Sequence, residues 1–169
     1  MATTNRERVG KVLDLLRDGL RPYVEREAKL HYGSRWSAQL QRILADSRLG
    51  DGKGDPLRDV AVVLLVMEKT WDEVFRQSLG RAERTLLFEL RDLRNKWAHQ
   101  DPFSTDDAYR ALDSASRLLT AVSAPEAGEV EKMKMELLRV RFDEQVRSEK
   151  RKSAGTAIES QATGNLTPW

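Results

Sequence analysis

Cysteine is absent from this 169-residue chain, and histidine occurs only twice, at His31 and His99. Without thiols there can be no disulfide framework and no thiolate zinc site, and two imidazoles separated by most of a domain make a poor transition-metal pair. A reducing, cytoplasmic setting and chemistry that needs no metal or other cofactor are therefore expected. Long apolar runs are missing as well. The longest uncharged one, Val60 to Met67, falls far short of the ~20 residues that cross a bilayer, and no apolar signal region follows the polar N-terminus, so no membrane partner is expected. Neither sign of charge dominates: 29 Lys and Arg stand against 27 Asp and Glu, and a surface that held RNA would have to gather its cations locally. Phosphate-loop and dinucleotide fingerprints and internal repeats are also lacking.

What is present suits one all-α domain with a core. Charged residues make up 33% and hydrophobic ones 40% of the chain, with only 7% aromatic, and apolar residues recur at helical spacing along most of it. Thr4-Asn5-Arg6-Glu7 has the capping-box pattern that opens a helix, continued by Val9, Leu13, Leu16, Leu20, Val24 and Ala28. Pro22, lacking an amide hydrogen, is expected to kink or divide that helix before Gly33, with His31 near its end. Trp36, Leu40, Ile43 and Leu44 mark a short second helix, and Gly50 to Gly54 a plain connecting loop. Asp55-Pro56 then reads as an N-cap with proline at the first helical position. It opens a long central helix through Leu57, Val60, Leu64, Met67, Trp71, Val74, Phe75 and Leu79 that Gly80 stops.

Leu86, Leu90, Leu93 and Trp97, spaced four, three and four apart, share one face of a fourth helix that Leu87 widens. Pro102 cannot continue it, and Ser104-Thr105-Asp106-Asp107 is suited to cap a fifth bearing Ala108, Leu112, Ala115, Leu119 and Val122. A charged helix follows from about Ala127 to Lys150. Its narrow seam of Val130, Met133, Leu137, Val140 and Phe142 fits an element that packs at one end and projects at the other. Residues 1–151 are thus expected to form the helical domain, and 152–169, of linker composition, a flexible connection to a further region of the same protein.

The chemistry concentrates in Arg94-Asn95-Lys96-Trp97-Ala98-His99, closed by Asp101-Pro102 at the end of the fourth helix. A permanent cation, an amide and an imidazole lie within about one and a half helical turns. An arginine fork grips two phosphate oxygens, and an imidazole, with an ordinary pKa of about 6.5, exchanges a proton near neutrality. Asn95 stands four residues before His99, on the same helix face, where it can orient the ring. RNA carries its own nucleophile, the 2'-hydroxyl, so such a group needs neither an external water nor a metal to cleave a phosphodiester.

An all-helical chain with Arg-Asn-x-x-x-His near the end of a core helix resembles the HEPN superfamily (higher eukaryotes and prokaryotes nucleotide-binding domain). Within it the chain is similar to the branch named after a yeast transcript-surveillance endonuclease. Arg94, Asn95 and His99 match the family's motif of an arginine, a polar residue and a histidine shortly after, and the flanks Arg6 to Arg21, Trp71 to Arg84 and Asp107 to Leu138 resemble it too. The resemblance implies a HEPN-like helical bundle with a long projecting C-terminal helix, working as a metal-independent endoribonuclease by 2'-hydroxyl transesterification. It implies a homodimer in which Arg94 and His99 from both chains line one cleft, since one imidazole serves poorly as both base and acid. It further implies Arg94, Asn95 and His99 as catalytic residues, RNA such as tRNA as substrate, a downstream ATPase region, and phage-defence or toxin-antitoxin settings. Lys96 is a candidate contact to the RNA backbone, and Asp72 and Glu73, on the neighbouring helix, are candidate acidic assistants.

Plainer roles exist for each residue. His99 can be a helix-terminal histidine favoured by the helix dipole, and Arg94 can pair with Glu89, Asp92 or another surface acid. Trp97 shares the apolar stripe, which favours core packing over base stacking, and Lys150-Arg151-Lys152 reads as solvated charge. The alternative function is a non-catalytic HEPN dimerisation or nucleotide-binding module, in which the same residues hold a phosphate without cutting it.

Overall fold

Val60 to Met67 are buried without interruption, and a helix that is apolar on every side must be enclosed by others. The computed structural model describes residues 3–45 and 55–165, with side chains through 155, and contains no strand among them. In chain order the elements are α1 (Asn5–Tyr32), a 3-10 turn (Gly33–Arg35), α2 (Trp36–Leu44), α3 (Val60–Lys69), a π-helical turn (Trp71–Phe75), α4 (Arg81–Ala98), α5 (Thr105–Ala121) and α6 (Glu126–Asn165). The fold is an all-α bundle with a long C-terminal helix. In it α3 lies between α1, α2 and α4, while α5 closes the other side against α1 and α4. Contacts divide the chain into two units, Met1–Lys134 and Met135–Trp169, the division falling inside α6. Among the described residues no helix is long and apolar enough to cross a membrane.

Local chemistry explains the helix starts. The Thr4 hydroxyl accepts from the Glu7 amide at 3.1 Å, and Ser104 and Asp107 exchange side chain for backbone in a reciprocal capping box, each bond 3.0 Å. Every apolar position expected of α5, from Ala108 to Val122, is buried, as are all eight expected of the central segment between Leu57 and Leu79.

The continuity of that segment differs from the expectation. The helix does not open at Asp55-Pro56: Asp55 accepts from the Leu57 amide at 2.9 Å in a local turn and pairs with Arg21, and the cap of α3 is Asp59, whose Oδ1 accepts from the Ala61 amide at 2.8 Å. Nor does it run on to Gly80. The Thr70 hydroxyl bonds back to the Val66 carbonyl at 2.6 Å, α3 ends, and a wide turn closed by Arg76 N–H to Trp71 O (2.8 Å) keeps Trp71, Val74 and Phe75 in the core. Gly80 stands at the start of α4, where its N–H donates to Glu83 Oε2 at 3.0 Å. Pro22 does not divide α1, because Leu16, Leu20, Tyr23 and Val24 are buried on both sides of it and hold the helix through one missing hydrogen bond.

Helix α6 also continues past Ser153, where composition suggests a linker, because Ala154, Ala157, Ile158, Glu159 and Gln161 favour helix over the intervening Gly155. Val130 and Met133 are buried, whereas Val140 and Phe142 are exposed. The expected loop from Gly50 to Gly54 lies outside the described residues.

Candidate functional site

The end of α4 is fixed by its own backbone and by α1. His99 is the C-cap and donates its N–H to Asn95 O at 3.0 Å; Gln100 N–H then reaches Trp97 O at 3.1 Å and Asp101 N–H reaches Lys96 O at 3.0 Å. This is a Schellman ending, with Gln100 at φ +60°, the left-handed conformation that glycine normally supplies. Arg6 donates to the same Trp97 carbonyl at 2.9 Å and stacks over the Trp97 ring at 4.9 Å. Asn5 Nδ2 donates to Phe103 O at 3.2 Å, tying the first turn of α1 to the α4–α5 loop.

Successive residues on α4 point different ways, and the motif divides accordingly. Arg94 turns toward α1 and α3, its side chain 23% exposed, with Nη2 3.7 Å from Asp59 Oδ2. It lines a cavity of about 370 Å³ shared with Gly10, Arg17, Arg58, Asp59 and Trp97. Lys96, two residues on, lines a separate cavity of about 260 Å³ between α4 and α5, with Asp92 and Asp107. The Asp107 carboxyl is held below the usual carboxylate range, first by the Ser104 amide and, more weakly, by the Lys96 charge. Asn95 and His99 are exposed at the helix end and line neither cavity. Asn95 and His99, four residues apart, are thus both exposed to solvent at the end of α4, while Arg94 and Lys96 line cavities to either side.

Asp72 and Glu73 do not join this group. Both are exposed on the π-helical turn, where Glu73 Oε2 accepts from the Tyr32 hydroxyl at 2.7 Å at the far end of α1. Burial, reinforced by that carboxylate, pushes the Tyr32 phenol well above its usual value. The Arg94 cavity reaches along α1 only as far as Arg17, and Tyr32 lies roughly 22 Å further at 1.5 Å per residue. The neighbouring acid is Asp59 instead, and neither Glu89 nor Asp92 pairs with Arg94; Glu89 accepts from Arg110 and Ser114. Sequence reasoning missed Asp59 because the cap of α3 was placed four residues early. It missed Arg17 because no periodicity argument links α1 to the motif, although Gly10, Leu13, Asp14 and Arg17 do form one helical strip.

Trp97 is half-buried rather than fully in the core. Its indole rests on Gly10, where an added Cβ would come within 3.2 Å of Nε1, so the missing side chain is what lets α1 and α4 approach here. Among the described residues no three His, Cys, Asp or Glu side chains group as metal ligands.

A family model described as Swt1-like HEPN matches residues 11–123, a span that takes in Arg17, Arg58, Asp59 and all of α4. No curated protein and no solved structure matches the chain.

Proposed function

The chain belongs to the Swt1-like HEPN family, a group of ribonuclease-like and nucleotide-binding modules, and we propose that it is a metal-independent endoribonuclease acting as a homodimer. The supporting observation is the fixed end of α4, where Asn95 and His99 face solvent on one strip and Arg94 stands beside them at a cavity mouth. One strip supplies a single imidazole, whereas transesterification needs a base and an acid, so a second copy of the same strip completes the site.

In the proposed reaction His99 of one copy takes the proton from the 2'-hydroxyl, and the O2' attacks phosphorus. The P–O5' bond breaks, and His99 of the second copy returns a proton to O5', leaving a 2',3'-cyclic phosphate and a 5'-hydroxyl. Arg94 from each copy stabilises the phosphorane charge, and Asn95 orients the imidazole.

The test is incubation of the pure protein with total RNA in EDTA, alongside Arg94→Ala and His99→Ala. Cleavage that survives EDTA, is lost in both variants and leaves 2',3'-cyclic phosphate ends supports the enzyme. The alternative reading is a HEPN dimerisation or nucleotide-binding module that holds a phosphate without cutting it. Intact RNA throughout, with nucleotide binding lost in Arg94→Ala, selects that one.

A further inference from the structure

The exposed side of α4 does not stop at the motif. At 3.6 residues per turn Arg81, Arg84, Phe88, Asp92, Asn95 and His99 fall on one face about 80° wide, and every one of them is exposed. Among the described residues of Met1–Lys134, every other phenylalanine, tyrosine and tryptophan is buried or half-buried, whereas Phe88 is 39% exposed. It lines neither the Arg94 cavity nor the Lys96 cavity.

A lone exposed ring is ordinary on a protein surface, and its neighbours decide what it can do. The Arg84 guanidinium lies over the Phe88 ring, 5.7 Å from its centroid, so a cation and a π-face form one stacked unit. Among the described residues neither Arg84 nor Arg81 forms an ion pair. The neighbouring acids are engaged elsewhere: Glu83 accepts from the Gly80 amide at 3.0 Å, and Glu89 accepts from Arg110 and Ser114. Asp92, the acid on this face, lies four residues beyond the ring toward the motif.

Aromatic rings stack on any nucleobase and arginines beside them hold the flanking phosphates, which is how an unpaired strand is gripped without regard to sequence. His99 follows Phe88 by eleven positions, roughly 16 Å along the helix, a few nucleotides of extended strand. An antiparallel pairing of two copies through Phe88 would instead set their His99 residues roughly 33 Å apart, which a shared cleavage site does not allow. We propose that Phe88 and Arg84, with Arg81, form a stacking platform for an unpaired base of the RNA strand outside the scissile step. The platform rests on the reading of the chain as an RNA-cleaving HEPN module. It binds and positions the strand and takes no part in proton transfer.

The probe is a fluorescent single-stranded 2'-O-methyl oligoribonucleotide, which lacks a free 2'-hydroxyl and cannot be cut, followed by anisotropy with the full chain. Phe88→Ala and Phe88→Leu are each expected to weaken binding at least about fivefold, because leucine restores apolar bulk but no π-face, while Phe88→Trp binds at least as well as wild type. Arg84→Ala is expected to weaken binding and to flatten the salt dependence of log affinity by about 0.7. Abasic units scanned along the probe locate the stacked base: at one position the abasic probe costs wild type as much as Phe88→Ala does, and combining the two adds no further loss. Phe142→Ala, which removes an exposed ring from α6, is expected to stay within about twofold of wild type. Melting curves that match wild type keep these comparisons independent of folding.

A Phe88→Leu protein that binds like wild type, or equal losses in the Phe88→Ala and Phe142→Ala variants, would overturn the platform. So would a fall in the light-scattering mass of Phe88→Ala, which would make the ring a contact between copies of the chain. Wild-type protein that binds the probe through Phe88 but leaves ordinary RNA intact overturns the nuclease and leaves the platform standing. Wild type that cuts RNA, with Phe88→Ala binding and cutting equally well, does the reverse.

Discussion

Gly19→Ala places one methyl group between α1 and α5, the two helices that clamp the bundle. Helix propensity alone favours alanine at an interior position by about 1 kcal/mol. At Gly19, however, the new Cβ would fall inside the contact radius of Leu119 Cδ2 and only 3.2 Å from Ala124 Cβ and Glu126 Oε2. Leu119 is fully buried and cannot swing into solvent, so either its rotamer or the helix spacing must change, at an overpacking cost of about 1–3 kcal/mol. The balance is a loss of up to about 2 kcal/mol, or a fall in Tm of up to roughly 6 °C for a domain of this size. Gly128→Ala supplies the opposite sign within the same chain. That glycine is exposed on α6 with nothing within 4 Å of the added Cβ, so propensity acts unopposed and stability rises by about 0.5–1 kcal/mol. Circular-dichroism melts of the two variants read the difference directly. A Gly19→Ala protein stabilised by the full ~1 kcal/mol of helix propensity would refute the close α1–α5 approach.

Replacing Gln100 by Gly removes a side chain from a left-handed backbone position, so stability is expected to rise by about 1 kcal/mol; a lower Tm would contradict the Schellman ending after His99. Arg6→Ala deletes both the bond to Trp97 O and the ring stack, and amide exchange at residues 99–101 is expected to accelerate; unchanged protection would remove Arg6 from the support of the motif. Asp107, held down chiefly by the Ser104 amide, and Glu131, held down chiefly by the Ser116 hydroxyl, have lower folded than unfolded pKa values. Their contribution is present above the unfolded carboxylate range of about 4 and is lost as pH falls through the depressed folded values, so Asp107→Asn should flatten the acid limb of a stability-against-pH curve; an unaltered limb would count against the capping box.

Much of the fold was legible because burial follows periodicity. The stripes of α1, α4 and α5 are buried or half-buried where apolar spacing put them, and Ser104 caps where its hydroxyl and Asp107 lie three residues apart. What escaped was continuity. Periodicity ranks faces but not breaks, and the Thr70 hydroxyl bonding back to Val66 ends α3 without any glycine or proline to announce it. Proline in the middle of α1 misled in the opposite direction, since packing on both sides outweighed one absent donor. At the site, Asn95 and His99 were readable as one strip from their spacing. The partner of Arg94 was not, because Asp59 is 35 residues away and only the packing of α3 against α4 brings it near. The same lack of any local signal hid Arg17 and Arg58. Asp72 and Glu73 were assigned by adjacency of helices, and the length of α1 separates them from the cavity.

The proposed paired site is tested most directly by a mixed dimer, made by co-expressing differently tagged wild-type and Arg94→Ala/His99→Ala chains and isolating the species that carries both tags. Because each strip supplies one imidazole and the proposed reaction uses two, the mixed dimer is expected to cleave RNA in EDTA at close to background, while the wild-type species purified alongside remains active. A mixed dimer with about half the wild-type rate would mean that each protomer works alone, and would contradict the shared cleft.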